Sequence, residues 1–329
     1  MDDKLKISII IPVYNCENFL QKGFNRLHPL YDFKLLFEII YINDGSTDNS
    51  LQVLKEIEAN NEFVKVLDQE NQGSSGARNS AIEIAKGKYI QFLDADDKFE
   101  VESIIELLHI AVKNNFDCLG YGMNFMSENG DVLGIMPKHP LNYGVETFGP
   151  QALIDGYQPS SICVFLFKTS FLNEHHLRIY PKITHMDVEF MTRVMIAATS
   201  VIFIDKICYH YLQREGSITK PKDSKSLEKF LFDEVIISEL IKNNLNNSMS
   251  DELKIAIQKN YNSVVWNLLW RFLVKPKEVS LAFKIKCLEE LKSKKLYPIK
   301  GSLKTNFQRI LRLFFNSPIY RSVFLKIRS

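Results

Sequence analysis

The run Gln91 to Phe99, QFLDADDKF, closes an apolar, strand-like stretch with three carboxylates, Asp94, Asp96 and Asp97. Acids crowded this closely raise one another's pKa unless something compensates. A hard divalent cation such as Mg2+ or Mn2+ would do so, because it prefers oxygen ligands and is commonly held by one or two carboxylates plus phosphate oxygens. An Asp-x-Asp at a strand end supplies the carboxylates and leaves coordination positions for a diphosphate. The competing reading is a solvated acidic turn leading into a helix near Glu100.

Three further strand-like runs end in polar clusters: PVYNCE after the first, NDGSTDNS after the second and NQGSSGARN after the third. Turn chemistry alone explains Gly45 and a capping Ser46 or Thr47. It does not require Asp44 to be a carboxylate at a strand tip, where it could accept the imide N–H of a pyrimidine base. NQGSSGARN sets a glycine-rich loop before a helix carrying Arg78, a pairing of exposed amides and a guanidinium that suits phosphate. The spacing is neither the dinucleotide fingerprint nor a P-loop, and close loop–helix packing would also account for it.

Elements that place these clusters together are legible up to about Phe125. Runs rich in β-branched residues, ISIIIPV, FEIIYIN, VKVLD, KYIQFLD and FDCLGYGMNF, alternate with helical stretches beginning near Glu17, Thr47, Gly73 and Glu100. That alternation predicts βαβ units and a mainly parallel sheet, whose ligands sit at the carboxyl ends of the strands. From Ser127 to about Thr219 a strand at ICVFLFK, a helix around DVEFMTRVMIAA and strands at SVIFID and CYHYLQ are expected. Helices follow near 226–245, 250–274, 278–295 and 303–327. The implied division is 1–125, 126–222 and 223–329.

With 46% hydrophobic and 24% charged residues, the 329-residue chain has the composition of a soluble globular protein. Five scattered cysteines without a CxxC pair argue for free thiols in a reducing compartment, against a disulfide framework or zinc site. The start, MDDKLKISIIIPVYN, is a poor export signal and reads as a first strand. No uninterrupted apolar run approaches the roughly 18 residues of a spanning helix, so a cytoplasmic location is expected.

ISIIIPVYNCE, INDGSTD, NQGSSGARN and FLDADD, in this order and spacing, closely resemble the nucleotide-binding half of the family-2 glycosyltransferases. The resemblance is specific over residues 6–100, looser to about Thr219, and silent beyond 225. It implies an α/β GT-A fold, Rossmann-like, with a mainly parallel mixed sheet between helices, here followed by a helical C-terminal extension. It implies an inverting hexosyl- or N-acetylhexosaminyltransferase using Mn2+ or Mg2+ and a nucleotide-sugar donor, UDP-linked by expectation. The expected acceptor is a glycan or lipid-diphosphate-linked glycan of bacterial polysaccharide assembly.

Motif by motif, the resemblance places Pro12, Tyr14 and Asn15 at base and ribose, Asp44 at uracil and Arg78 near the nucleotide. Asp94 would meet ribose or the metal shell, Asp96 would ligate the metal, and Asp97 is a third member. An inverting enzyme needs a general base on the acceptor hydroxyl. ITHMDVEF offers Asp187, with Met186 where the family commonly has Glu; Glu189 is the alternative. YHYLQREGSIT resembles the family's closing loop and maps Arg214 and Ser217 onto the leaving diphosphate, with His210 a further candidate metal ligand. A catalytically silent nucleotide-sugar-binding or scaffold protein of the same fold is the rival reading. A sugar nucleotidyltransferase would want a glycine-rich loop where this chain has PVYNCE.

The net charge of +2 conceals an asymmetry: Arg271 to Ser329 carries 15 Lys and Arg against 3 Asp and Glu. LKTNFQRILRLFFNSPIYRSVFLKIRS interleaves those cations with apolar residues, Leu303, Phe307, Ile310, Leu311 and Phe314 forming one expected face. An ordinary packed helix and a peripheral contact with anionic lipid both fit. No nucleic-acid-binding motif accompanies the charge.

Overall fold

The computed structural model describes residues 6–27, 30, 37–136, 142–213, 223–275 and 277–317. In chain order the first elements are β1 (Ile7–Val13), α1 (Glu17–Asn25), β2 (Phe37–Asp44), α2 (Ser50–Ala59), β3 (Val64–Gln69), α3 (Gly73–Ile84) and β4 (Tyr89–Phe92). Then follow β5 (Lys98–Phe99), α4 (Val101–Asn114), β6 (Cys118–Met126), β7 (Val132–Met136), α5 (Gly149–Ile154), β8 (Phe165–Lys168), α6 (Thr169–Glu174), α7 (Met186–Ala197) and β9 (Val201–Leu212). Four helices come last: α8 (Ser224–Asn243), α9 (Asp251–Val274), α10 (Leu281–Ser293) and α11 (Asn306–Asn316).

The chain packs as two compact units. The first comprises Met1–Gly149, Ser161–Lys182 and Val194–Arg214, the second Pro150–Ser160, Ile183–Arg193 and Glu215–Ser329. The middle third of the sequence is thus shared between them.

In the first unit the described strands form one mixed sheet in the order β3-β2-β1-β4-β8-β6-β9-β5, with β7 paired to β6. β3, β2, β1 and β4 run parallel, as their two-sided apolar runs predict. β8 then enters antiparallel between β4 and β6, while β9 runs parallel to β6. Ile9, Ile10, Ile40, Ile42, Phe92, Leu119 and Phe167 are fully buried. At the amino ends of the strands, buried Glu38 accepts from Ser8 Oγ at 2.7 Å and the Lys86 N–H at 2.6 Å and pairs with Lys65. That network ties β1, β2, β3 and the approach to β4 together on the edge away from the polar clusters.

SVIFID and CYHYLQ, expected as two strands, are one. β9 stays paired to β6 throughout because the register shifts twice around Gly122 and absorbs the irregularity. ICVFLFK begins as a 3-10 turn (Ile162–Val164), with Ser161 Oγ accepting from Cys163 N, and becomes β8 only from Phe165.

The second unit is helical. Asp223, Ser250, Ser280 and Thr305 each accept a backbone N–H three residues on and so cap α8, α9, α10 and α11, the last as a full capping box with Gln308. The helix expected over 303–327 is α11, and residues beyond 317 lie outside the described ones. Among the described residues no helix is long and apolar enough to cross a membrane.

Candidate active site

The first two polar clusters are latched to each other. Asn15 adopts a positive φ of 52°, which asparagine tolerates, and its Oδ1 accepts from the Thr47 backbone N–H at 2.8 Å. Its own N–H donates to Ser46 Oγ, that of Cys16 to Ser50 Oγ and that of Glu17 to Asp48 Oδ2. Asn15 is thereby occupied in holding the β2–α2 loop. Tyr14, 52% exposed beyond half-buried Pro12, is the side chain this loop turns to solvent.

Asp44 is only 2% exposed, and its Oδ1 accepts from Gln69 Nε2 at 2.7 Å and from the Gln72 backbone N–H at 2.9 Å. One carboxylate therefore joins the tip of β2 to the end of β3 and to Gln72, the N-cap of α3, because Gly73–Gly76, expected as a loop before the helix, forms its first turn. Gly45 makes this possible: φ is +71°, and a Cβ there would lie 2.9 Å from the Asn71 nitrogen. Beside Asp44, Asn43 donates to Asp68 Oδ1 at 2.7 Å. The buried atoms Asn43 Oδ1 and, in the first turn of α3, Ser75 Oγ have no hydrogen-bond partner in the structure. Buried polar atoms of this kind ask for a polar partner, and these two lie in the elements that Asp44 joins.

At the end of β4, the Asp97 N–H donates to the Asp94 carbonyl at 3.0 Å and closes a turn. The three acids have different surroundings. Asp94 is half-buried and ion-paired with the buried Arg78 guanidinium of α3. Asp96 is half-buried at the middle of the turn. Asp97 is buried and accepts from Tyr209 Oη at 2.7 Å and from the Leu212 N–H at 2.8 Å. Burial pushes the Asp97 carboxyl well above the usual range, and the charges of Asp94 and Asp96 push it further. Asp97 thus fastens the turn to β9, a structural task that sets it apart from Asp94 and Asp96.

His210 has both ring nitrogens engaged, Nδ1 with Asn124 Oδ1 at 2.6 Å and Nε2 with Glu100. Among the described residues no three His, Cys, Asp or Glu side chains converge as a ready-made metal shell. Asp94 and Asp96 are hard oxygen donors at a strand tip. Their chemistry is that of a two-carboxylate set that a divalent cation would share with phosphate oxygens and water, Asp94 doing so beside its ion pair with Arg78. Arg214 and Ser217 lie outside the described residues.

In the second unit, Asp187 is half-buried in the first turn of α7, directly after His185 with φ of +58°. The approach to this helix is pinned from α8. Buried Asp233 accepts from the Thr184 N–H and Thr184 Oγ1, each at 2.8 Å, and from Lys229 Nζ at 2.7 Å, while His185 Nδ1 meets Glu234 Oε1 at 2.7 Å. Glu189 differs from Asp187: it is buried, with Oε1 accepting from Arg193 Nε at 2.5 Å and Oε2 from Arg193 Nη2 at 2.8 Å. A buried carboxylate held by a guanidinium fork is committed to structure.

Tyr209 and Asp233 are the site-building residues that sequence reasoning passed over. Tyr209 had a usable signal, since strand alternation puts it on the face opposite His210 and a buried phenol needs a hydrogen-bond partner. Asp233 had none, because an acid within a charged helical stretch reads as solvated surface.

A family model described as glycosyl transferase family 2 matches residues 8–171. Glycosyltransferase GlyG of Streptococcus pneumoniae serotype 4 is 30% identical over 226 residues, 65% of this chain and 73% of that protein. The poly(ribitol-phosphate) beta-glucosyltransferase of Bacillus spizizenii is 33% identical over 227 residues, 64% of this chain and 33% of that one. Of three other relatives, the chain spans 65%, 32% and 66% of the length. The crystal structure of S. aureus TarS 1-349 in complex with UDP-GlcNAc superposes with a TM-score of 0.70 at 22% identity, covering 88% of this chain and 80% of that one. That likeness shows the fold, and the GT-A architecture expected from the motifs is the one present.

Proposed function

Because the chain belongs to glycosyl transferase family 2, we propose that it moves a sugar from a UDP-linked donor to a hydroxyl acceptor with inversion at the anomeric carbon. The observation that carries this reading is the gathering of Asp44, the first turn of α3 (Gly73–Gly76) and the Asp94–Asp97 turn at the carboxyl ends of the neighbouring strands β3, β2, β1 and β4. Adjacent strands lie about 4.8 Å apart, so the tips span the length of a nucleoside diphosphate.

In this reading Asp44, its Oδ1 held by Gln69 and Gln72, presents Oδ2 to the uracil imide N–H, and Tyr14 lies against the base. Arg78 and the first turn of α3 face the phosphates. Asp94 and Asp96 would hold Mn2+ or Mg2+, which when bound supplies charge stabilisation for the leaving diphosphate. His210 could join that shell only by giving up Asn124 or Glu100, so it is left out. Asp187 takes the proton of the acceptor hydroxyl, a role for which Glu189 is disfavoured by its fork to Arg193. Arg214 and Ser217 keep their assignment to the diphosphate on resemblance alone.

TarS is described with UDP-GlcNAc and the Bacillus relative as a glucosyltransferase acting on poly(ribitol phosphate). These favour a UDP-hexose or UDP-N-acetylhexosamine donor and a polymer or lipid-linked glycan acceptor of the bacterial envelope, met at the cytoplasmic face. The test is calorimetric titration of UDP, UDP-glucose, UDP-GlcNAc and GDP-mannose with Mn2+ or with EDTA. UDP-sugars should bind with Mn2+ and lose most of that affinity in Asp96→Ala. Binding of no uridine nucleotide, with or without metal, would sink the reading.

A further inference from the structure

Helix α11 carries two apolar faces, where the sequence led us to expect one. The inner face belongs to Phe315, fully buried and edge-on to Trp266 at 4.7 Å between ring centroids. Leu303, expected on the helix face, is buried in the loop before it, and Leu311 is half-buried. The outer face centres on Ile310 and Leu313, 70% and 74% exposed, with Phe307 and Phe314, 58% and 36% exposed, at its border, where their rings also meet Trp270 at 5.9 Å and Phe315 at 5.8 Å between centroids. A spacing of three, three and one residues puts these four on one stripe of the helix.

The stripe belongs to a well-anchored element. The Thr305 and Gln308 capping box fixes one end, and at the other Asn316 exchanges two hydrogen bonds with the backbone of Ile299, at 2.9 and 2.8 Å. Beside it on the polar flank stand Arg309 and Arg312, whose Nη1 groups donate to Asn306 Oδ1 and the Gly301 carbonyl. From Leu291 to Ser329 the sequence contains ten Lys and Arg and no Asp or Glu.

We propose that the outer face of α11 is a membrane-interface helix: it lies in the headgroup region of an anionic bilayer, with Phe307, Ile310, Leu313 and Phe314 among the acyl chains and the cations on lipid phosphates. An outward apolar stripe flanked by basic residues is the composition that such helices share. Charge selects this occupant over the others. A second copy packed through this stripe would bring the Arg309 and Arg312 flanks of two helices together, which like-charge repulsion opposes. Nucleic acid would meet the cations but has nothing to stack on Ile310 and Leu313, the most exposed members.

The proposal stands on the second unit alone and is independent of the donor assignment, so failure of nucleotide binding leaves it untouched. The test is flotation of the full chain with phosphatidylcholine vesicles and with vesicles of phosphatidylcholine and phosphatidylglycerol at 7:3, in low and high salt. The expected result is association with the anionic vesicles only, weakened at high salt because such contacts are screened beyond about 8 Å at physiological ionic strength. Ile310→Ser with Leu313→Ser should cut the partition coefficient at least tenfold. Both positions are exposed, so its melting temperature should match the wild type and confirm that folding is intact. Absence of flotation, equal binding to neutral vesicles, or unchanged binding by the double variant would each overturn the proposal. So would a concentration-dependent dimer in sedimentation that the double variant loses, which would assign the stripe to a second copy.

Discussion

The Tyr209 hydroxyl donates to Asp97 Oδ2 at 2.7 Å while accepting from the Asp94 backbone N–H at 3.2 Å. One buried phenol on β9 therefore clamps both ends of the acidic turn after β4. Burial first, and the nearby Asp97 next, push the Tyr209 hydroxyl well above its ordinary pKa, so it stays a donor. The turn that carries Asp94 and Asp96 is fastened to β9 through its last acid.

Tyr209→Phe keeps the ring and removes the clamp. It leaves Asp97 Oδ2 buried without its donor, which costs about 1–3 kcal/mol. The expected outcome is a lower denaturation midpoint at unchanged m-value, together with weaker metal-dependent UDP binding. Unaltered stability would show that the phenol contributes nothing to the turn.

Asp44 separates a structural from a recognition role within one side chain. Asp44→Asn keeps an acceptor for Gln69 and Gln72 and replaces Oδ2 by an amide donor, so the loop should hold and stability change by less than about 1 kcal/mol. UDP affinity should fall roughly 10- to 100-fold, the worth of about 1.4–2.7 kcal/mol. Asp44→Ala should lose both stability and affinity. Equal UDP binding by Asp44→Asn and wild type, measured by calorimetry, would remove Asp44 from base recognition.

Much of this is legible in the sequence. The parallel half of the sheet follows from two-sided apolar runs such as FEIIYIN, and the four polar clusters fall at the strand tips because βαβ connectivity puts them there. The partition of the acids was not legible. Asp94, Asp96 and Asp97 are alike as residues, and what separates them is contact with Arg78, 16 residues upstream, and with Tyr209, 112 residues downstream. The two faces of α11 were hidden for the same reason: the expected face of Phe307, Ile310, Leu311 and Phe314 does not include Phe315, and only packing on Trp266 decides that Phe315 is the residue that goes inside.

Asp187 and Glu189 are told apart by what each loses on becoming an amide. Asp187→Asn should leave folding and UDP affinity intact while lowering transfer about 10²- to 10⁴-fold, the usual contribution of a general base. Glu189→Gln breaks a buried fork to Arg193 and should cost about 3 kcal/mol or more of stability, with Arg193 left uncompensated. Single-turnover transfer with a soluble acceptor, read beside thermal unfolding, distinguishes the two. Unchanged transfer in Asp187→Asn rejects it as the base.

The approach to α7 also predicts a pH dependence with a definite sign. For His185, burial alone lowers the pKa, but the hydrogen bond and charge of Glu234, with the charges of Asp187 and Asp233, outweigh it and raise the pKa above the ordinary 6.5. A folded-state pKa above the unfolded one means that protonation favours folding. The contribution is fully present below about pH 6.5 and disappears as pH rises through the higher folded value. The melting temperature of the wild type should therefore fall between pH 6 and pH 9 by more than that of Glu234→Gln, in which the partner carboxylate is gone. Other groups titrate over the same range, and the difference between the two curves isolates the pair because those groups are common to both proteins. Parallel melting curves for wild type and Glu234→Gln would show that the imidazole and Glu234 are not coupled in solution.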